Sequence, residues 1–484
     1  MVSEARENDR LHNILQGENS MRTTKKSNRL EMLLSIPLVL LVGLFVAAPA
    51  NAQKGDNAIW ISSSATGPSS AFIDATAFCS TPGSCSSSTD DFCTVIFNTL
   101  NSSSFPSSGG VVDARGLTSS NTKSSSCGSG SPFQTTTAAI KVPSTILLPA
   151  GKIPLGKLWV LPNGTKIIGQ GAGSPFSSTG VDSVTIIQAS STFSGTMIQM
   201  GPNSGDPLFT TCSSATAGYC TEVGVENLEL VGGTNGASVS GIINGQSQDM
   251  SYVRRVSMYQ IGSIGLKVWN NAQNSGPYVD ISVNNAGLGS STTECAELDV
   301  TTLGIRGLNC QGTASASAAV VVDAPNNTVK DVQIQGTFSD GIQLKPGALL
   351  PASSDVLFNI SGSGTGITRV VHIETGSPNP ENISIMGVSN GNSGGGTVTI
   401  LDSVTNTSLN DSYIGMYVLG VPGVSGNGYS RFTTSTNTAA VTWGSGTALP
   451  ASCNKGSLFS CTSGTSCTND LYVCTASGTW SSLP

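Results

Sequence analysis

One short phrase recurs along the middle of this chain and limits what the chain can become. From about Val225 to Gly387, an apolar residue is followed two positions later by another, and a glycine closes the phrase. The copies are Leu228/Leu230, Val256/Met258, Ile281/Val283, Leu308/Cys310, Val332/Ile334, Phe358/Ile360 and Ile383/Ile385. Their first members stand 24 to 28 residues apart, a period of about 26, inside the range of solenoid repeats. The i, i+2 spacing within a copy belongs to a strand, not a helix. A second apolar strand lies between copies, clearest in Gly341-Ile342-Gln343-Leu344 and Gly265-Leu266-Lys267-Val268. Short strands repeating at this interval, with Gly, Asn and Ser between them, predict the coils of a parallel β-helix.

Composition agrees with that expectation. Only 11 % of the 484 residues are charged and 6 % are aromatic, while glycine reaches 57. Low charge with many turn residues suits an all-β extracellular chain, and 38 % apolar content can still build a core. The net charge is −7. Residues 1–52 hold six basic and five acidic residues, so the remainder carries 16 basic against 24 acidic, or −8. That balance argues against nucleic acid as a partner, because phosphate contacts need a basic surface. A polyanionic substrate would require a local basic patch or a bridging cation.

All 12 cysteines follow residue 52. An even, locally clustered set reads as disulfides made in an oxidising compartment. Cys212–Cys220 and Cys295–Cys310 are the expected single pairs, each closing a short loop. The first four cysteines (79, 85, 93, 127) and the last four (453, 461, 467, 474) leave three pairings each. No C-x-x-C occurs and only two histidines exist, His12 and His372, which disfavours a metal site built from Cys and His.

Residues 21–52 have the form of a secretion signal. Lys25, Lys26 and Arg29 precede an apolar run from Met32 to Ala48, and Ala50-Asn51-Ala52 is a cleavage site, so Gln53 would begin the mature chain. An uncleaved anchor is the rival reading, since the run nears spanning length. Pro49 and the cleavage-like ending favour removal, leaving no stable membrane span and a secreted, extracellular or periplasmic protein. The expected divisions are 1–52, an extended N-terminus and signal; 53–141, a cap region; 142–420, the β-helix; 421–449, a Gly/Ser/Thr-rich linker or last coil; and 450–484, a Cys-rich hairpin unit. In the cap region, Asp90-Asp91 precede Phe92, Val95, Ile96 and Leu100 at helical spacing, predicting an N-capped helix over the open first coil. In the last unit, Trp480 is expected to cover the hairpin's own face.

The order of phrases after that helix carries a family resemblance. Gly110-Val111-Val112-Asp113-Ala114-Arg115-Gly116 is followed by Thr145-Ile146-Leu147-Leu148-Pro149-Ala150-Gly151-Lys152. Then comes Leu161-Pro162-Asn163-Gly164-Thr165-Lys166-Ile167-Ile168-Gly169-Gln170-Gly171. This resembles the opening of the pectate lyase-like superfamily over about residues 88 to 420. The resemblance implies an all-β, right-handed parallel β-helix with an N-terminal capping helix, here with a small disulfide-rich C-terminal unit. It implies action on polysaccharides without supplying a catalytic set. Polygalacturonase-like members carry N-T-D, D-D, G-H-G and R-I-K. Only D-D occurs in the mature chain, as Asp90-Asp91 ahead of the coils, and the R-x-P-x-x-R phrase of calcium-dependent pectate lyases is absent.

Chemistry must then come from carboxylates. In Glu294-Cys295-Ala296-Glu297-Leu298-Asp299-Val300, Leu298 and Val300 would face inward and Glu297 and Asp299 outward together. Residues two apart on a strand are about 6.6 Å apart at the backbone, compatible with glycoside hydrolysis or with one calcium ion between the two carboxylates. Asp323, ending Val320-Val321-Val322-Asp323, joins the same group. A second column comprises the residues before each first anchor: Asn227, Arg255, Asp280, Gly307, Asp331, Leu357 and Asn382. Stacked in register, it sets Asp280 and Asp331 about 9.6 Å apart, near the upper limit for an inverting hydrolase. Arg255, Lys267 and Arg306 are the expected substrate-binding cations. His372, beside Glu374, is the one histidine of the coils and is read as structural; Asp340 is read as a turn residue.

Two functions follow. The first is a secreted polysaccharide hydrolase or lyase working with carboxylates along the wall; in a lyase, a cation would acidify a uronate proton and Arg or Lys would take it. The second is a non-catalytic glycan-binding or adhesin-type β-helix, favoured by the missing signature motifs and the neutral outer column. No cofactor beyond the calcium alternative is implied.

Overall fold

The structure is a computed structural model. It describes residues 71–483 except 119–126, 128–130, 136–137, 174–182, 204–205, 207, 209–211, 213–217, 286–293, 313–317, 348–350, 364–365, 392–397, 404–411, 415–416, 419–429, 433–440, 447, 452, 454, 462–466, 468–470 and 477. The signal segment at 21–52 lies outside these residues. Among the described residues, no helix is long and apolar enough to cross a membrane.

Two parallel strands per coil build a β-helix. The recurring phrase forms one of them: Gly224–Val231, Tyr252–Tyr259, Tyr278–Asn284, Gly304–Gly312, Thr328–Gly336, Val356–Ser363 and Ser384–Asn390. Each pairs in parallel with the next inside a long sheet. The second strand forms a separate sheet of nine, including Gly195–Met200, Val239–Asn244, Ile264–Val268, Glu294–Leu298, Ala318–Val322, Asp340–Leu344, Arg369–Ile373 and Val398–Asp402. Both sheets contribute to one continuous apolar core. Removing each such side chain from water is worth roughly 1.5–3 kcal/mol, which is what holds a chain so poor in helix together.

The register follows the sequence for five copies and then departs from it. Leu228, Val256, Ile281, Leu308 and Val332 are successive partners. Val332 then pairs with Ile360, not Phe358, and Ile360 pairs with Val388, not Ile383. Phe358 is 39 % exposed, whereas Ile360 and Val388 are buried.

The cause lies one residue earlier. Asn227, Arg255, Asp280, Gly307, Asp331, Asn359 and Gly387 all have φ between +53° and +70°. Each coil therefore turns a corner through a left-handed residue immediately before the buried anchor. Asn, Asp and Gly tolerate that conformation and Leu does not. The column expected to run through Leu357 and Asn382 runs instead through Asn359 and Gly387.

Parallel stacking also starts earlier than 142: Ala71–Asp74 pairs with Gly110–Asp113, which pairs with Ser144–Leu147. The capping helix is Phe92–Leu100, and the Asp91 side chain accepts from the Thr94 amide at its N-terminus. Phe92 stacks on Trp159, the first residue of the first strand in the nine-stranded sheet, with ring centroids 6.5 Å apart. The helix thus covers the edge of the core that an open coil would leave wet.

Six disulfides form. Cys212–Cys220 and Cys295–Cys310 are joined by Cys79–Cys85, Cys93–Cys127, Cys453–Cys474 and Cys461–Cys467. Within 421–449, Ser430–Phe432 and Val441–Gly446 are strands that pair with each other and join the long sheet. In the C-terminal unit Trp480 packs on Phe459 and donates its ring N–H to the Pro450 carbonyl at 2.9 Å.

Candidate active site on the nine-stranded sheet

Backbone register aligns Gln199, Ile243, Lys267, Glu297, Val321, Gln343, His372 and Leu401 across eight successive strands. Neighbouring rungs are about 4.8 Å apart. Just past the strand ends runs a second column, Trp269, Asp299, Asp323, Lys345, Glu374 and Ser403. Each of their amides donates to the carbonyl of the last strand residue on the preceding rung. The two columns concentrate the ionisable side chains of this wall.

Lys267 is the centre of the group. Its Nζ lies 2.7 Å from Glu297 Oε2 and 3.0 Å from Asp299 Oδ2. Those two carboxylate oxygens are thus less than about 6 Å apart, short of the range for inverting glycosidases. Burial pushes the Asp299 carboxyl up to about 6, helped by the negative charge of Glu297 and opposed by Lys267. Burial likewise pushes Glu294 up to about 7, with Glu297 adding to it. Asp323, one rung beyond Asp299, is raised by burial, partly offset by Lys345. Lys267 is held above its ordinary value by its two carboxylate partners, against the effect of burial. Asp299 Oδ1 is buried with no hydrogen-bond partner among the described residues.

Two features frame these carboxyls. Cys295, between Glu294 and Ala296, is tied to Cys310 of the long sheet, which fixes the acidic strand to the opposite wall. Trp269 stands one rung from Asp299, 39 % exposed, with the Lys267 ammonium 5.7 Å from its ring centroid.

Of the residues singled out in the sequence, Lys267, Glu297, Asp299 and Asp323 are brought together here. Arg255, Asp280, Arg306 and Asp331 are elsewhere, at the corner of the long sheet. Arg255, Asp280 and Asp331 occupy left-handed corner positions. Asp331 accepts from Asn359 Nδ2 at 2.8 Å and pairs with Arg306 at 3.4 Å. The backbone conformation accounts for the acids in that column without a ligand. Trp269 and Lys345 join the site unannounced, because only the three-dimensional register puts them in the column of Asp299 and Asp323; Glu294 belongs to the acidic stretch already singled out.

Calcium does not fit the Glu297–Asp299 pair in this arrangement. The Lys267 ammonium already bridges both carboxylates, and among the described residues no three acidic, His or Cys side chains form a metal-sized cluster. A separate cleft of about 710 Å³ lies near the first strands of the same sheet, lined in part by Lys157, Phe193 and Asp206. It contains none of the titratable residues grouped around Lys267.

No protein-family model matches the chain, and no curated protein matches it. Solved structures do. The A-module of a mannuronan C-5 epimerase from Azotobacter vinelandii, AlgE6, is 14 % identical, with 57 % of this chain and 78 % of that one covered and a TM-score of 0.32. ORF18 of Geobacillus virus E2 is 11 % identical, with coverages of 85 % and 86 % and a TM-score of 0.40. The DFA-IIIase of Arthrobacter chlorophenolicus A6 is 9 % identical, with coverages of 72 % and 93 % and a TM-score of 0.32. These are likenesses of fold.

Proposed function

We propose that this protein is a secreted polysaccharide hydrolase whose acid and base are carboxyls of the nine-stranded sheet. The observation that carries the reading is the pair of carboxyls, Glu297 and Asp299, held on one ammonium, with Asp299 pushed up to about 6. Such a carboxyl keeps its proton in mildly acidic solution, where an ordinary carboxyl has already lost it. Asp299 would protonate the departing glycosidic oxygen while Glu297 attacks the sugar carbon, and water would then release the sugar with Asp299 as base. Lys267 orients both carboxyls and balances their charge. The exposed Trp269 ring offers a flat apolar surface for a sugar next to the cleaved bond.

The same geometry disfavours the lyase reading with Lys267 as base. An ammonium stabilised by two carboxylates does not release its proton readily. Six disulfides fit an oxidising compartment and hence secretion. The test is incubation of the mature protein with neutral and acidic polysaccharides. Release of reducing ends, lost in Glu297→Gln and in Asp299→Asn, supports the proposal. Unsaturated uronate absorbance, or retention without turnover, replaces it with a lyase or with a glycan-binding protein.

A further inference from the structure

Three rungs along the same wall, a second constellation brings His372 and Asp340 together with Ser403. His372 Nδ1 lies 3.2 Å from Asp340 Oδ2, and His372 Nε2 lies 3.2 Å from Ser403 Oγ. Asp340 is fully buried and also pairs with Arg369, whose Nη2 donates to Oδ2 at 2.9 Å. The three side chains come from three consecutive coils: Asp340 opens one strand, His372 lies in the next and Ser403 follows the one after. The imidazole is itself largely buried, while Ser403 is half-buried.

This is a hydroxyl within reach of a base that is oriented by a third group, which defines an activated nucleophile. Asp340 is an acceptor, so Nδ1 carries the proton and Nε2 presents its lone pair to the Ser403 hydroxyl. A serine placed only to satisfy a polar strand end would need no imidazole behind it, and a buried Asp–Arg pair would need no histidine.

We infer that Ser403, His372 and Asp340 form a nucleophilic acyl-transfer site that hydrolyses small O-acyl esters. Ser403 Oγ bonds to the acyl carbon as its proton passes to His372 Nε2. The ester C–O bond breaks, and the departing alcohol oxygen takes that proton. Water then attacks the acyl-serine, giving a proton to Nε2 that returns to Oγ as the carboxylic acid leaves. Asp340 stabilises the imidazolium between these transfers, and Arg369 holds Asp340 in place.

The site stands about 14 Å from Glu297 along the column. If the polysaccharide reading of that wall holds, the ester is an acyl group carried on the same glycan; the acyl-transfer chemistry itself does not depend on that reading. The experiment therefore uses no polysaccharide. The mature protein is treated with a fluorophosphonate and, separately, with p-nitrophenyl acetate. Covalent labelling is expected on the peptide containing Ser403. Both labelling and ester turnover should fall about 100-fold or more in Ser403→Ala and in His372→Gln. Ser403→Ala removes one half-buried hydroxyl, so its thermal unfolding should match that of the parent chain and keep the comparison valid should His372→Gln fold poorly. Absence of label at Ser403, or ester turnover that survives Ser403→Ala, overturns the inference. Loss of polysaccharide hydrolysis alone leaves both of these readouts in place and bears only on the Glu297–Asp299 site.

Discussion

The ammonium of Lys267 sits 2.7 Å from Glu297, its direct neighbour on the adjoining strand although 30 residues separate them in the chain. The same ammonium reaches Asp299, so one cation balances two half-buried carboxyls. Lys267→Met should raise the Asp299 carboxyl further, because it removes the attraction that now opposes burial. Asp299 acts as the acid, so the alkaline limb of the pH–rate profile for polysaccharide hydrolysis is expected to move upward by about one unit. An unmoved limb would show that Asp299 does not set the rate.

The corner column makes a sharper separation between shape and chemistry. Asp280 and Asp331 have φ of 56° and 55°, with Gly307 at 70° between them. Asparagine tolerates this conformation as well as aspartate does. Asp280→Asn and Asp331→Asn should therefore leave both stability and polysaccharide hydrolysis within experimental scatter. Gly307→Val should cost about 2 kcal/mol or more, since a Cβ there meets Asp280 Oδ1 at 2.8 Å and the left-handed backbone is itself strained for a β-branched residue. Urea unfolding of the three variants checks both statements.

That column also explains what could be read from the sequence and what could not. Anchors such as Leu228 and Ile281 were legible because i, i+2 apolar pairs recur and must face one core. Phe358/Ile360 has the same pattern as the true pair position at Ile360, so hydrophobicity alone misplaced the sixth copy by two residues and the seventh by five. The preference for Asn, Asp or Gly just before the anchor, met at six of the seven corners with Arg255 the exception, favours Asn359 over Leu357. In the site, Glu297, Asp299 and Asp323 were visible because two are near neighbours in sequence and all end outward strands. Their alignment with Lys267 and Trp269, and the meeting of Asp340, His372 and Ser403, depend on loop lengths between second strands. Those loops vary from coil to coil and the 26-residue period of the first strand does not fix them.

Asp355 predicts a pH dependence of folding. Its side chain is buried, accepts from the Asn327 amide at 2.6 Å, and leaves Oδ2 without a partner. Burial raises its carboxyl to about 8, well above its value in an unfolded chain. The folded state then holds a proton that the unfolded state has lost between about pH 4 and pH 8. This contribution to stability is complete below about pH 4 and declines as pH rises through about 8. Asp355→Asn keeps the acceptor and supplies a donor, so it should stabilise the protein above pH 8 by on the order of a few kcal/mol and flatten the decline. Thermal unfolding from pH 5 to pH 9 distinguishes the two chains.

The Cys295–Cys310 bridge closes 15 residues and joins the acidic strand to the opposite sheet. Replacing both cysteines by serine should cost about 3 kcal/mol through the larger freedom of the unfolded chain. The loss should reach the site as well, because Glu294 and Glu297 lie one and two residues from Cys295. Amide exchange over 294–299 is expected to accelerate more than exchange in the first coils, such as 144–147.

Trp269 allows glycan binding to be tested apart from catalysis. Its ring is 39 % exposed, one rung from Asp299, and its amide is already held by the Asn244 carbonyl at 2.9 Å. Replacing it with alanine removes a half-buried ring from the wall, so the chain should stay folded with a loss on the order of 1 kcal/mol. Binding should fall as well. An aromatic platform works by covering the apolar face of a ring while the neighbouring polar groups take its hydroxyls, and here those groups are Lys267 and Asp299. Trp269→Ala is expected to weaken polysaccharide retention at least tenfold, equivalent to about 1.4 kcal/mol. Trp269→Phe should recover part of it, because a smaller ring keeps the flat surface. Hydrolysis of p-nitrophenyl acetate should be unaffected, since the ester site stands several rungs away. Retention that survives the loss of the indole would place the glycan on another face, and the carboxyls around Lys267 would then have no substrate beside them.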